Sequence, residues 1–504
     1  MRSIAYQEEL RPGLPTVIGN VDYQEFRATL LRIDEILEQG GLERQFVEER
    51  VRVYRTEAQG RPGETNRVGE RDLARVARHA SQALRCNVAR MLLGETSRAF
   101  SARLADSPLL QEFCRVSKLD VIRVPSKSTV DRYGKMVDAE TIRKVVGAAT
   151  RAAAAPVRQG GQALGLTSPV DLDAYFLDTT CVPANIHFPV DWVLLRDAVR
   201  TLIKAIGLIR KHGLKHRMGK PEQFVRKINC LCMEMTQAAR KKKDSNKERK
   251  RVLRRIKALV QVVRGHATRY RKLLADRWEE TDLAQGNVRQ ILGRIDDVLG
   301  KLPAAMKQAH ERIIGGRKVP DAEKILSLYE PDVHVIVRGK AGMKVEFGNT
   351  LLLGELASGL IVDWKLFEDR APVDAHLVPE SLERFEQVLG RSPRAVSADR
   401  GFDAAGNTEL LRSRKIYNAI CPKNPHETKA RMGQQRFVKL QRRRAQTEGR
   451  VGIFKNSFLG RPMRSKGFGN RQRDVAWAVL AHNLWVIARL PTAAQQEREC
   501  KRAA

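Results

Sequence analysis

Apolar residues recur every three or four positions through the first 165 residues, as in EFRATLLRIDEILEQ and LARVARHASQALRCNVARMLL. This spacing places them on one face of a helix, so it predicts a mostly helical region. The stretch 152–171 that follows is rich in Ala, Gly and Pro, which is typical of a linker. Helical spacing returns over about 193–318, so we expect a second helical block there.

Short runs of apolar and β-branched residues predict strands in the rest of the chain. The run AYFLDTTCV predicts a buried strand with Asp178 at its carboxyl end, and RAVSADRGF predicts another that ends at Asp399. Further strands are expected in 333–339 and 344–367, and an amphipathic helix in PESLERFEQVLG. This order of elements predicts a mixed α/β core that a helical insertion interrupts.

Two short helices with a tight connection are expected where LADSPLLQEFCRV is followed by VPSKSTVDRYGKMV. Ser128 is the expected N-cap of the second helix, and Asp131 three residues later completes a variant of the capping box. Basic residues accompany the pair, so it fits a helix-turn-helix that reads DNA. An ordinary helical bundle gives the same local pattern, and both interpretations stay open at this point.

The net charge of the chain indicates which class of partner it binds. The 504 residues include 92 Lys and Arg against 58 Asp and Glu, a net charge of +34, which favours nucleic acid as the partner. No apolar run is long enough to cross a bilayer, and the first residues lack the apolar segment of a secretory signal. With seven scattered cysteines, we expect a cytoplasmic protein with reduced thiols and no membrane partner. A nucleic-acid partner would make such a protein nucleoid-associated in a bacterium.

Two acids, Asp178 and Asp399, each end a predicted strand. In open α/β sheets the crevice that binds ligands lies beyond the carboxyl ends of the strands, so two such acids can meet although they are distant in sequence. Two carboxylates side by side repel each other unless a cation lies between them. Because Mg²⁺ takes oxygen ligands, the pair predicts a divalent metal site.

Glu448 is the single acid among five bases in RRRAQTEGRVGIFK. If 438–458 is one helix, then Arg444, Glu448 and Lys455 fall within about 40° of one another on one face. A metal-binding carboxylate between two bases that contact DNA phosphates would explain this arrangement. A solvated basic helix with one compensating charge is the alternative.

Four blocks of sequence occur in an order that resembles the DDE transposases of bacterial insertion sequences. They are FLDTTCVPANIHFPVDWVLL, GMKVEFGN, SADRGFDAAGNTELL and RRRAQTEGRVGIFK. They are most similar to the ISNCY-like group, and LADSPLLQEFCRV with PSKSTVDRY resembles the InsH-like N-terminal region. The related signature Tyr-x2-Arg-x3-Glu-x6-Lys matches at Arg444, Glu448 and Lys455, with Gln441 in the Tyr position.

The resemblance implies a ribonuclease H-like catalytic core in which Asp178, Asp399 and Glu448 bind two Mg²⁺ or Mn²⁺ ions. It implies a transposase that binds the terminal inverted repeats of its element, cleaves DNA strands and transfers them to target DNA. Its partners would be double-stranded DNA, both element ends and target, and at least one further copy of the chain. Arg444 and Lys455 are the expected DNA contacts.

The expected domains are a helical DNA-binding region, a split catalytic domain, a basic helical insertion and a short tail. Their expected bounds are 1–165 for the DNA-binding region, 166–192 with 319–490 for the catalytic domain, 193–318 for the insertion, and 491–504 for the tail.

Other functions stay open on the sequence alone. A ribonuclease H-like nuclease without strand transfer would use the same three acids, and a DNA-binding protein derived from a transposase would need none of them. A tyrosine recombinase is disfavoured, because it needs a nucleophilic Tyr late in the chain and the last one is Tyr417.

Overall fold

A computed structural model describes residues 14, 16–59, 69–117, 121–156, 164–241, 244–340 and 343–493. The chain divides into two compact units. The first comprises Met1–Pro183 and Thr350–Ala504, and the second comprises Ala184–Asn349. The bounds of the elements follow in chain order, and each unit is then described by itself.

Seven described helices precede the first strand, as the helical spacing predicts. They are α1 (Val21–Gln39), α2 (Leu42–Gln59), α3 (Glu70–Leu92), α4 (Ser97–Asp106), α5 (Pro108–Phe113), α6 (Lys127–Gly134) and α7 (Ala139–Ala154).

Six strands form one mixed sheet, which confirms the α/β class. They are β1 (Ala174–Pro183), β2 (His334–Lys340), β3 (Met343–Leu356), β4 (Ile361–Leu366), β5 (Ala395–Ser397) and β6 (Tyr417–Asn418). Between β1 and β2 lie four helices: α8 (Asp191–Lys211), α9 (Pro221–Arg240), α10 (Ser245–Arg277) and α11 (Gln285–Ile313). After β4 come α12 (Val378–Leu389), α13 (Ala405–Ser413), α14 (Pro425–Arg431), α15 (Gln435–Ile453) and α16 (Phe468–Ala488).

The strands of the first unit follow the order β4-β3-β1-β5-β6. β1 pairs in parallel with β5, and β5 pairs in parallel with β6. Such parallel neighbours need a crossover connection, and α13 supplies one between β5 and β6. β4 pairs with β3 antiparallel. β1 therefore lies where the connections diverge to the two sides of the sheet, which is the kind of switch point where α/β proteins bind ligands.

One hydrophobic core runs through the first unit. It contains buried residues of the N-terminal helices, of the sheet and of α16. Trp477 of α16 is fully buried, and its indole N–H donates to the Gly134 carbonyl at 3.1 Å. The residues before 165 therefore share a core with the sheet, and the division into units draws no boundary there.

The second unit contains the helices predicted between 193 and 318. α8 packs on α9, α10 and α11, and α10 packs on α9 and α11. Their apolar faces enclose a core of their own, which includes Leu202, Ile256 and Ile295. The carboxylate of Asp191 is buried at the start of α8 and accepts hydrogen bonds from Gln308 at 2.9 Å and Arg312 at 2.8 Å. In the described part of the chain, no helix combines the length and apolar character that a membrane crossing requires.

The predicted helix pair differs from the structure in two ways. The N-cap of α6 is Ser126, whose hydroxyl accepts from the Thr129 amide, and Ser128 lies inside the first turn. Both serines have the residue type of a cap, but the extended backbone occurs at Ser126. Residues 114–126 separate α5 from α6, so the tight connection expected between them is wrong.

The expected linker at 152–171 is also shorter than its composition indicates. α7 continues to Ala154 because its Ala residues favour the helix. Residues 157–163 lie outside the described part of the chain. Leu164 is buried, and Leu166 forms a β-bridge with Thr492. Leu164, Leu166 and Val170 of this stretch are therefore packed into the core of the first unit.

Candidate active site

Asp178 lies in the middle of β1, whereas the sequence pattern predicts it at the carboxyl end of the strand. The strand continues to Pro183 because the β-branched and apolar residues after Asp178 extend it. The neighbouring strand β5 is shorter, and the last pair between the two strands is Phe176 with Ser397. Asp178 and Asp399 both lie two residues beyond this pair. Adjacent strands are about 4.8 Å apart, so the register brings the two acids close together.

Asp399 begins a 3-10 turn, Arg400–Phe402. Its carboxylate accepts a hydrogen bond from the Gly401 amide at 2.8 Å, which fixes the side chain at the end of β5. A Cβ atom at residue 401 would lie 3.0 Å from Asp399 Oδ1 and 2.9 Å from Asp374 Oδ2. A larger residue at 401 would therefore displace one or both of these carboxylates.

Asp374 is a fourth acid near the pair, and the sequence patterns do not identify it. It lies in the 3-10 turn Asp374–Leu377 that precedes α12. This turn packs on the turn that Asp399 begins. Asp374 follows no predicted strand and belongs to no motif, so only the packing of the two turns brings it to the site.

Glu448 approaches the site from α15. Its side chain is 64% exposed, and its carboxylate lies 3.9 Å from the guanidinium of Arg444 one turn earlier. The side chain of Arg444 is only 18% exposed. The helical face predicted from Arg444 and Glu448 is therefore present, and it lies at the boundary between the protein and solvent.

The electrostatics of Asp178 show that the three predicted acids are near one another. Burial, together with the negative charges of Asp399 and Glu448, raises the pKa of Asp178 to about 6. The Thr179 amide, which donates to Asp178 at 2.9 Å, and the charge of Arg444 act in the opposite direction. Three carboxylates from β1, from the end of β5 and from α15 therefore act on one another.

A buried acid that the sequence patterns do not identify holds α15 on the sheet. Glu355 of β3 accepts hydrogen bonds from Arg443 at 3.0 Å and from the Thr447 hydroxyl at 2.7 Å. Arg443 also donates to the Ala357 carbonyl at 2.9 Å and lies over the ring of Phe176. Arg443 and Thr447 are four residues apart and share a face of α15. This anchor sets the rotation of the helix, and with it the direction of Arg444 and Glu448.

Gln441, which stands in the Tyr position of the related signature, has a structural contact. Its side-chain amide donates to the Ala419 carbonyl at 2.6 Å and lies 3.3 Å from the Ser397 hydroxyl. Ser397 ends β5, two residues before Asp399, and Ala419 follows β6. Gln441 thus joins the start of α15 to the strand ends beside the carboxylates.

Lys455 lies in a turn of π-helix, Phe454–Leu459, that follows α15. The single helix expected over 438–458 is therefore wrong at its C-terminal end, where the aromatic rings of Phe454 and Phe458 pack on His482. Lys455 is only 9% exposed, and its ammonium group donates to the Thr180 hydroxyl at 3.1 Å. Residues 178 and 180 point to the same face of β1, so Lys455 lies on the face that carries Asp178.

The donor chemistry of this site fits a hard divalent cation, because carboxylate oxygens are the ligands that Mg²⁺ prefers. The side chains are not yet placed around such an ion: the described residues contain no group of three His, Cys, Asp or Glu side chains that could hold a metal. Mutual repulsion and the pairing of Glu448 with Arg444 give a physical reason for the open arrangement. A cation would remove the repulsion and compete with Arg444 for Glu448.

Comparisons of this chain with protein-family models, with curated proteins and with solved structures give no match.

Proposed function

We propose that this chain is a transposase that cleaves DNA strands at the ends of its element and transfers them to target DNA. The observation that supports this most strongly is the meeting of Asp178, Asp399 and Glu448. These are the three acids singled out by the transposase-like blocks of sequence, and they come from three different elements. The order of strands in the first unit, with β1 between an antiparallel and a parallel part, supports a ribonuclease H-like core.

In this proposal Asp178 and Asp399 hold divalent metal ions, and Glu448 leaves Arg444 to join them. Two bound ions, Mg²⁺ or Mn²⁺, would activate the attacking oxygen and stabilise the leaving oxygen of a phosphodiester. The raised pKa of Asp178 supports the assignment, because perturbed carboxyls that have a charged neighbour are concentrated at functional sites.

The bases near the site have separate roles in the proposal. Arg444 is partly buried beside the carboxylates, so it is placed to bind a DNA phosphate once Glu448 moves away. Lys455 donates to Thr180, and we assign it the support of β1 beside Asp178. A direct contact of Lys455 with a phosphate stays a prediction from the sequence. Two element ends must be held together, so the working form would be a dimer or larger.

The test uses DNA that carries the regions on both sides of the reading frame. Asp178→Asn, Asp399→Asn and Glu448→Gln should each reduce strand cleavage by at least about 1,000-fold, because residues that act as a unit fail together. Glu427→Gln is the matched control, since Glu427 is an exposed acid of α14 outside the site. Wild-type cleavage by a Glu448→Gln protein would refute its role as the third ligand.

Cations and products separate the possible activities. Mg²⁺ and Mn²⁺ should support cleavage, Ca²⁺ should support DNA binding with little cleavage, and EDTA should abolish cleavage, because Ca²⁺ prefers looser coordination at longer distances. Calorimetric titration with Mn²⁺ should show binding that Asp178→Asn weakens, whether or not DNA is cut. Cleaved ends that never join a target would favour a nuclease, and no cleavage with intact DNA binding would favour a non-enzymatic DNA-binding protein.

A further inference from the structure

Residues 193–318 concentrate the positive charge of the chain. They hold 33 Lys and Arg against 12 Asp and Glu, a net charge of +21 out of +34 for all 504 residues. Within them α10 carries 12 bases and two acids in 33 residues. A solvated helix normally alternates charges of both signs, so an excess of this size calls for a second explanation beside solubility.

Several acids of this region already pair with a subset of the bases. On α10, Arg255 pairs with Glu234 at 2.5 Å, Arg271 with Asp296 at 3.0 Å, and Arg277 with Glu280 at 2.5 Å. Glu248 pairs with Lys241. Surface pairs of this kind add little stability, but they neutralise the charges that they join. The remaining bases of α10 are left without such compensation.

Five of the bases without an acid partner lie along the side of α10 that faces away from its core. Val252, Ile256 and Val263 are buried on the opposite side. At about 100° per residue, nine positions share the outward face, and the last of them is the exposed acid Asp276. We name the first eight the outer stripe: Lys247, Arg251, Arg254, Ala258, Gln261, Gly265, Arg269 and Lys272. The two ends of the stripe are basic and its middle is uncharged.

The three bases at the start of the outer stripe, Lys247, Arg251 and Arg254, are exposed. None of them has an ion pair or hydrogen-bonded partner among the described residues. They are spaced four and three residues apart, and like charges at this spacing destabilise a helix by roughly 0.2–0.5 kcal/mol per pair. The fold thus keeps like charges close together at a cost in stability, and bound anions would reduce that cost.

We propose that the outer stripe of α10 binds the sugar–phosphate backbone of double-stranded DNA, at a site separate from the carboxylates and without reading the sequence. The stripe is about 37 Å long at 1.5 Å per residue, so it presents two basic groups at a fixed distance to a stiff duplex. Ala258 and Gly265 between them leave room for the DNA backbone to approach closely. Duplex binding follows from the stripe itself, whereas the choice of DNA over double-stranded RNA rests on the proposed function.

Two other polyanions fit the outer stripe less well. Proteins that bind single strands stack the bases on aromatic side chains, and the stripe has none. A helix that lies on a membrane needs a broad apolar face toward the lipid, and the apolar face of α10 is buried in the second unit.

The test compares two triple variants of the full chain that lose the same charge from the same helix. The stripe variant carries Lys247→Gln, Arg251→Gln and Arg254→Gln. The control variant carries Arg255→Gln, Arg271→Gln and Arg277→Gln, which are exposed but paired with acids. Binding to a labelled duplex of random sequence is measured by fluorescence anisotropy over a range of salt concentrations, in EDTA, and circular dichroism checks that both variants are folded.

The stripe variant should bind at least tenfold more weakly near 0.1 M salt, and its plot of log affinity against log salt should be shallower by about 2 to 3, since each lost phosphate contact contributes about 0.9. The control should change affinity less than about threefold. Equal losses in the two variants, or no loss in the stripe variant, would overturn the proposal. Tighter binding of single strands, of double-stranded RNA or of anionic vesicles than of duplex DNA would also overturn it.

Failure of this proposal is distinguishable from failure of the proposed function. EDTA removes the cations that cleavage needs, so anisotropy reports DNA binding without cleavage. Adding the three stripe substitutions to a Glu448→Gln protein should weaken its binding to random duplex by the same factor as in the wild type. Conversely, the stripe variant should still cleave when the DNA concentration is raised to saturation.

Discussion

α15 and α10 are both dense in arginine and lysine, but their charges have different surroundings. On α15, Arg443 reaches a buried carboxylate, Glu355, and Arg444 lies partly buried beside Asp178. Burial and the charge of Arg443 lower the pKa of Arg450 on the same helix. On α10 the bases are exposed or half-buried, and Arg255, Arg271 and Arg277 pair with exposed acids.

This difference shows that runs of basic residues can have different structural roles. In α15 each charge has an assigned direction because Glu355, Thr447 and Gln441 fix the rotation of the helix against the sheet. In α10 apolar residues face the core of the second unit, and exposed bases lie at the two ends of the outer stripe. The first arrangement suits a site with one geometry, and the second suits a long anion that can slide.

The largest effect on stability should come from breaking the anchor of α15. Glu355→Ala should lower the free energy of unfolding by about 3 kcal/mol, because it leaves Arg443 partly buried without its counter-charge. Glu248→Ala on α10 should cost less than about 1 kcal/mol, since its pair with Lys241 is exposed. Urea unfolding of both variants tests this, and equal costs would remove the distinction between the two helices.

A pH-dependent effect should follow from the raised pKa of Asp178, for which α10 has no counterpart. The folded state binds this proton more tightly than the unfolded state, so stability is lost as pH rises from about 4 through about 6. Asp178→Asn should therefore raise the free energy of unfolding by up to about 3 kcal/mol over wild type above pH 6 in EDTA. Near pH 4 it should give no such gain. A constant difference across this range would show that the carboxyl is not perturbed.

A smaller effect is expected at the glutamines of the two helices. Gln441→Ala removes the hydrogen bonds to the strand ends and should cost about 1 kcal/mol. Gln261→Ala on the outer stripe should change stability by less than about 0.5 kcal/mol, because its side chain has only a long contact to the Met306 sulfur. Thermal unfolding of the two variants gives the comparison, and a larger cost at Gln261 would contradict it.

The smallest effect on stability should be at the exposed end of α10. Arg251→Gln should leave the free energy of unfolding within about 0.5 kcal/mol of wild type. At low salt it should be slightly stabilising, because it removes a positive charge that repels Lys247 and Arg254. Melting temperatures at low and high salt test this, and a clear loss of stability would mean that the outer stripe has a partner within the chain.

The meeting of Asp178 and Asp399 could be predicted, because the rule that strand ends converge depends only on the order of strands. The exact place of Asp178 in β1 could not be predicted, since the residues after it are equally suited to a strand or to its end. The hydrogen bonds by which Glu355 anchors α15 could not be predicted either. An acid in the run TLLLGEL has no signature of burial, and only the docking of α15 supplies its partners.

The proposed convergence of the three acids on a metal site can be tested without any knowledge of the DNA substrate. Carbon-13 NMR of the aspartate carboxyls, with Asp178 assigned through Asp178→Asn, measures the pKa of this group directly. In EDTA it should lie near 6, and it should fall in Asp399→Asn because one repelling charge is removed. Saturating Mg²⁺ should lower it well below the ordinary range for Asp, because a cation stabilises the carboxylate. An ordinary pKa that neither Asp399→Asn nor Mg²⁺ changes would contradict the account.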